Sequence, residues 1–190
     1  MSWRPGTPVR IEAPRYVLRS LTVDDASPRY LAWLQDPEVV RWLNARFRSH
    51  SLDTIRAYIA RHDDRTSFHL GIFTAGDGTH VGNYSVYHEP AHETAQINVM
   101  IGDKQHWGAG TVLETRALLV DWLFDTLGVY RVWGTPFAQN APAVFNYKRQ
   151  GFRLEGMMRA ARKVSDDERL DIAVFAVLRD EWNARRGGGT

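Results

Sequence analysis

The clearest chemistry in this chain of 190 residues sits in Gln105-His106-Trp107-Gly108-Ala109-Gly110-Thr111, and it is anion binding. A short apolar run rich in β-branched residues, Ile97-Asn98-Val99-Met100-Ile101, comes first and reads as a buried strand. A long segment follows in which Leu113, Ala117, Val120, Phe124 and Leu127 recur at helical spacing, closed by Gly128. The order is strand, glycine-bearing turn, helix. The first N–H groups of a helix have no internal partner and point along a favourable dipole. Gly108 and Gly110 carry no Cβ, so a phosphate can approach the main chain closely. A diphosphate is therefore expected over the N–H groups from about Gln105 to Thr111. Two familiar phosphate loops are excluded, because Gly110 is followed directly by Thr111 with no lysine and the third glycine of the dinucleotide fingerprint is replaced by Leu113. Paired glycines at a helix start also mark ordinary tight turns, so the flanks must decide.

The elements around the loop read as one α+β unit. Tyr16 to Ser20 forms a first strand, and Thr22 caps a helix with Asp24 and Asp25 in its first turn and Tyr30, Leu31, Trp33 and Leu34 inward. Asp36-Pro37 starts a short helix bearing Val39, Val40, Trp42 and Leu43. Ser51 caps a third helix, with Leu52, Ile55 and Ile59 on one face. These three helices make a lid-like section ahead of the main sheet. Strands at 68–74 and 80–87 flank Gly76-Asp77-Gly78, a strong hairpin signal, and a strand at 93–101 leads into the loop. After the long helix come a strand at 131–135, a helix at 140–149 with Pro142 in its first turn, and strands at 152–158 and 170–178 around a polar loop. The expected organisation is a loosely held arm at 1–14, a single domain at 15–185 and a flexible tail at 186–190. The expected sheet is mixed, mostly antiparallel, six- to seven-stranded, with helices on both faces.

Composition narrows the function. With 44% hydrophobic and 12% aromatic residues the chain can bury a full core. The absence of cysteine excludes disulfides, cysteine-ligated metals and a cysteine nucleophile, and no metal is expected. A net charge of +2 with scattered arginines argues against nucleic acid as a partner. No apolar run reaches the ~20 residues of a membrane span, and residues 1–8 lack a signal-peptide core, so a cytoplasmic protein is expected.

Gln105-His106-Trp107-Gly108-Ala109-Gly110 resembles the Q/R-x-x-G-x-G/A coenzyme A loop of the GNAT acetyltransferase superfamily. Further on, Asn140 to Phe152 resembles that superfamily's second signature, N-x-x-A-x-x-x-Y-x-x-x-G-F, followed by Glu155-Gly156. The stretch from Asp171 to Trp182 resembles the final strand and "EW" close of the ribosomal-protein-alanine N-acetyltransferase branch, and the likeness spans Tyr16 to Trp182. The resemblance implies a sheet splayed between the strands at 96–101 and 131–137, with the pantetheine arm in the gap. It implies acetyl-CoA as donor: Val99, Met100 and Ile101 pair with the pantetheine amides, and Gln105, His106, Trp107, Gly108, Ala109, Gly110 and Thr111 hold the diphosphate. The N–H of Met100 or Ile101 becomes the oxyanion donor. Tyr147 matches the tyrosine placed near the cofactor sulfur, where a phenol of ordinary pKa near 10 donates a proton to the thiolate. Asn140 and Asn146 match or neighbour cofactor-bonding positions, Asn140 also serving as helix cap.

The base is not marked. Relatives carry a glutamate in an "A-E-I" context on the strand entering the loop, and this chain has Ala95-Gln96-Ile97. Glu93 and His92, with Glu89 and His88, are the remaining candidates, histidine having the better intrinsic pKa. Glu114, in the first turn of the long helix, is expected to pair with its dipole. On the acceptor side, the stretch from Tyr30 to Val39 resembles relatives acting on nucleotide-linked amino sugars and the ribosomal-protein branch. Arg41, Arg46, Arg48 and His50 form a basic cluster, and Trp42, Phe47, Tyr84 and Tyr87 are candidates to line a cleft, with Trp42, Arg46 and Tyr84 the expected substrate contacts. The expected activity is acetyl transfer from acetyl-CoA to a primary amine by direct attack, on a protein N-terminus or a small molecule. A non-catalytic acyl-CoA-binding module is the alternative. A homodimer is left open, and no membrane partner is expected.

Overall fold

The computed structural model describes residues 3–187. Eight strands form one sheet in the order β1-β2-β3-β4-β5-β6-β8-β7. They are β1 (Arg10–Glu12), β2 (Tyr16–Ser20), β3 (Ser67–Thr74), β4 (His80–Glu89), β5 (Thr94–Ile101), β6 (Arg131–Gly134), β7 (Arg153–Lys163) and β8 (Arg169–Leu178). Neighbours are antiparallel except β5 and β6. The helices are α1 (Pro28–Gln35), α2 (Pro37–Val40), α3 (Leu52–Ile59), α4 (Thr111–Asp125), α5 (Ala141–Arg149) and α6 (Arg179–Gly187).

Alternation along the strands gives the sheet two apolar faces. One face carries Leu18, Phe68, Leu70, Val86 and Ile97, covered by Leu119, Leu123 and Phe124 of α4, Tyr147 of α5 and Trp182 of α6. The other carries Phe73 and Met100, under Tyr30 and Trp33 of α1 and Ile55 and Ile59 of α3. The lid helices and the long helix thus lie in separate clusters of the core.

The parallel pair opens partway along. β5 and β6 pair only at Thr94↔Arg131, Ala95↔Val132 and Gln96↔Trp133. Beyond Gln96, β5 runs on to Ile101 while the chain after β6 leans the other way, where Phe137 bridges Ile172 of β8. The splay expected between these strands therefore begins at Ile97.

Several expectations change. The sheet has eight strands because part of the expected loose arm is β1, paired through Arg10↔Arg19 and Ile11↔Leu18, with Val9 buried and Trp3 packed edge-on to Trp122. The arm's Met1 and Ser2 and the tail's residues 188–190 lie outside the described residues, and Arg186 and Gly187 belong to α6. Thr22 caps only a 3-10 turn at Val23–Asp25, and the helix begins at Pro28 behind the Ser27 cap. On α4, Leu113 and Ala117 are only partly buried, whereas Thr111, Thr115 and Arg116 are buried. Hydropathy missed these three because specific bonds compensate their polarity. The Thr115 hydroxyl donates to the Thr111 carbonyl at 2.7 Å and lies 3.0 Å from the Tyr84 hydroxyl.

Candidate active site

The open edge of β5 presents main-chain groups. The Glu93 carbonyl accepts from the N–H groups of Tyr130 and Arg131 on the β6 side, at 2.7 and 3.2 Å. The Gly102 N–H donates to the Val81 carbonyl on the β4 side, at 3.0 Å. Alternation along the strand then turns the amides of Ile97, Val99 and Ile101 toward the gap, and those of Asn98 and Met100 toward β4. Of the two expected oxyanion donors, Met100 and Ile101, only Ile101 has its N–H on the gap side. Met100 instead sends its side chain into the lid-side core. The Ile101 carbonyl accepts from the Trp107 indole N–H at 2.9 Å, which ties the loop to the strand end.

The loop shortens the expected anion cradle. Asp103 caps a 3-10 turn at Lys104–His106, so the N–H groups of Gln105, His106 and Trp107 bond to the Asp103 side chain, the Asp103 carbonyl and the Lys104 carbonyl. The next amides, from Gly108 to Leu113, have no such turn bonds: the first helical bond runs from the Glu114 N–H to the Gly110 carbonyl. Gly108 and Gly110 have φ of +73° and +79°, and a Cβ at either would meet no atom within 4 Å. Both conditions for a main-chain phosphate site are met one turn later than the motif indicates, at the N-terminus of a 15-residue helix. Tyr16 pins this turn from β2, its hydroxyl 2.9 Å from Thr111 Oγ1 and 3.3 Å from His106 Nδ1. Glu114 meets Arg15 Nε at 2.7 Å, so its partner is a cation as well as the helix dipole.

Tyr147 reaches the gap from below. Its ring is 4% exposed and stacks on Phe175 at 5.3 Å with an interplanar angle of 7°. The Arg116 guanidinium lies 4.0 Å from the ring centroid. The hydroxyl approaches Gly134 so closely that a Cβ there would sit 2.0 Å from it and 3.1 Å from the Ile97 carbonyl. That contact places the phenol where β5 and β6 part, and it has no hydrogen-bond partner among the described residues. Burial pushes the phenol pKa up, and the Arg116 cation pulls it down. Arg116 is 1% exposed, donates from Nη1 to Gln150 Oε1 at 3.2 Å and leaves Nε unpartnered. Sequence reading passed over Arg116 because an arginine within a helix normally points to solvent.

The other expected residues divide. Asn140 caps α5 by accepting from the Ala143 N–H at 3.3 Å, and Asn146 lies half-buried one position before Tyr147. Gln96 marks the closing point of the gap and donates to Thr135 Oγ1 at 3.3 Å. His92 and Glu93 are exposed in the turn before β5, and Glu93 stands about 13 Å along the strand from Ile97 at the usual rise. They sit at the paired end of the two strands and are not brought to Tyr147. Tyr84 is fully buried beneath α4, held by Thr115, so it belongs to the core rather than to an acceptor cleft. Trp42 packs on Phe137 at 5.7 Å, just past the end of β6. Behind Tyr87, a polar cluster that sequence reading missed links His69 Nδ1 to Ser85 Oγ at 3.1 Å, and His69 Nε2 to the Tyr30 hydroxyl at 3.0 Å.

A sheet split beside a free helix N-terminus offers an open strand edge and main-chain donors for an anion. Residues 15–153 match the family model described as an acetyltransferase (GNAT) domain, and the chain belongs to that family. That match covers β2 to β6, the loop and α1 to α5. The chain is 31% identical over 113 residues to a probable N-acetyltransferase, YjcK, of Bacillus subtilis (strain 168), a match covering 58% of this chain and 62% of that one. Its fold is similar to that of a spermidine N-acetyltransferase from Vibrio cholerae in complex with CoA and spermine, with a TM-score of 0.79, 17% identity, and 90% and 99% of the two chains covered. It is also similar to a ribosomal-protein-S5-alanine acetyltransferase from Vibrio fischeri, with a TM-score of 0.74, 16% identity, and 92% and 98% covered. Among the described residues no helix is long and apolar enough to cross a membrane.

Proposed function

We propose that this chain transfers the acetyl group of acetyl-CoA to a primary amine by direct attack in the gap between β5 and β6. The observation that carries this reading is the meeting of three features: the open β5 edge, the free amides from Gly108 to Leu113, and the Tyr147 hydroxyl beside Gly134. The gap-facing amides of Val99 and Ile101 hold the pantetheine arm, and the cradle holds the diphosphate. The amine nitrogen bonds to the thioester carbonyl carbon, the Ile101 N–H steadies the oxygen, and the carbon–sulfur bond breaks. Tyr147 donates its proton to the departing thiolate and recovers one from solvent; the amine's surplus proton leaves to water. β5 itself carries neither an acid nor a histidine, so the neutral fraction of the amine is the attacking form. The products are the N-acetyl amide and free CoA.

The glutamine at Gln96 favours a second reading, a module that binds acyl-CoA without turnover. Calorimetry with acetyl-CoA, followed by thiol detection over a panel of amines, separates the two. Binding with amine-dependent thiol release supports transfer. Binding without release from any amine supports the module, and absence of binding refutes both.

A further inference from the structure

The segment over the open end of the gap is basic, and most of its cations lack acidic partners. From Arg41 to Arg61 the chain holds Arg41, Arg46, Arg48, Arg56 and Arg61 against one acid, Asp53. Arg56 takes that acid at 2.8 Å. Among the described residues the other four arginines form no salt bridge. Arg46 donates from Nη1 to the Arg41 carbonyl at 3.1 Å and lies 4.6 Å from the Phe47 ring centroid, while its Nη2 is buried with no partner. Trp42, on Phe137, anchors the segment across the open end of the gap. Phe47 is 57% exposed and lines a cavity of about 590 Å³ with the β7–β8 tip, residues 163–166. That tip is balanced in charge, with Arg162, Lys163 and Arg169 against Asp166, Asp167 and Glu168 in sequence and Lys163 on Asp166 at 2.5 Å. On the sheet, Tyr87 stands opposite Gln96, and Arg61 and Arg48 lie near enough to pull its hydroxyl pKa down against the larger upward push of burial.

We propose that the acceptor is an amine that also carries a phosphate or carboxylate, bound by Arg46 and Arg48 with Arg41 and Arg61 in support, its amine directed into the gap beside Gln96 and Asn98. The proposal rests on the transferase reading above and specifies the class of acceptor. Guanidinium groups without acidic partners bind such anions through paired charge-assisted hydrogen bonds. The same field repels a polycation.

The test compares kcat/KM by CoA release for matched acceptors: O-phosphoethanolamine against ethanolamine, and β-alanine against β-alaninamide, with spermidine as the cationic control. The anionic member of a pair is expected to be better by about tenfold to a hundredfold. Added salt should raise its KM and not raise that of the partner lacking the anion, a readout that needs no variant. In Arg46→Glu/Arg48→Glu, and in the milder Arg46→Gln, the anionic-to-neutral ratio should fall toward one. The two pairs separate phosphate from carboxylate as the preferred group. Equal or better use of the neutral or cationic amines, with acetyl-CoA still bound, overturns the anionic acceptor and leaves the transferase reading standing. Acetyl-CoA binding with no amine accepted removes both.

Discussion

Replacing Tyr147 by phenylalanine separates chemistry from folding, because the structure assigns ring and hydroxyl different work. The ring carries the packing on Phe175 and the contact with Arg116, all of which phenylalanine keeps. The hydroxyl has no partner among the described residues, so its removal orphans no buried group. Stability should change by no more than about 0.5 kcal/mol, a Tm shift of about 2 °C at most for a chain of this size. General acid catalysis contributes about 10²–10⁴-fold, so kcat should fall by about 10² or more while acetyl-CoA affinity holds. Calorimetric affinity, thermal unfolding and thiol release measure the three quantities on one preparation. Gly134→Ala approaches the same point from the other side. Its Cβ would lie 2.0 Å from the hydroxyl, which displaces the phenol and costs about 1–3 kcal/mol in overpacking as well as turnover. Should Tyr147→Phe keep turnover within threefold, the assignment of the phenol as thiolate acid is wrong.

Other consequences concern the loop, the turn before β5 and the buried histidine. Gly110→Val forces a β-branched residue to φ near +79°, so acetyl-CoA affinity should fall at least tenfold by calorimetry, with about 1–2 kcal/mol of lost stability. His92→Gln and Glu93→Gln should each leave kcat within twofold and the pH profile unmoved, since both side chains lie at the paired end of β5 and β6; a shifted profile in either restores it as base. Burial holds the His69 pKa at about 3, well below its unfolded value near 6.5, so acid protonates the unfolded chain first. Its contribution to stability is complete above about pH 6.5 and is lost as pH falls toward 3, at up to ~1.4 kcal/mol per pH unit. His62 and His80 are also lowered by burial, so the measurement is the difference between wild type and His69→Gln in acid unfolding, and parallel curves would contradict it.

The donor half of the site was legible because its physics is local. A strand end, two glycines and a helix start lie within one stretch of sequence, and main-chain amides need no particular side chain to bind phosphate. Even so, the motif misjudged which amides are free. Asp103 and the 3-10 turn occupy the first three, and an aspartate two residues before Gln105 was a signal that capping was at work. Arg116, Thr111 and Thr115 stayed hidden because hydropathy scores a polar residue as exposed, whereas each here is compensated by hydrogen bonds or aromatic faces. Tyr84 was misplaced for the converse reason: an aromatic on a strand reads the same whether it faces α4 or the lid, and only the register Tyr84↔Val99 decides.

The acceptor half draws on elements that are far apart in sequence. The loop after α2, the lid-side face of β4 and β5, and the β7–β8 tip become neighbours only through the strand order β4-β5-β6-β8-β7. No spacing rule links Arg46, Tyr87 and Gln96, so nothing local marks them as neighbours. What does survive in sequence is charge, since five arginines against one acid between Arg41 and Arg61 needs no fold to be counted. The fold turns that surplus into a directional field by placing it over the mouth of the β5–β6 gap, where Trp42 meets Phe137. The similar folds of a spermidine acetyltransferase and a ribosomal-protein alanine acetyltransferase show one scaffold serving different acceptors. On the acceptor proposed above, selectivity resides in the side chains laid over that scaffold, and between Arg41 and Arg61 these are mostly cationic.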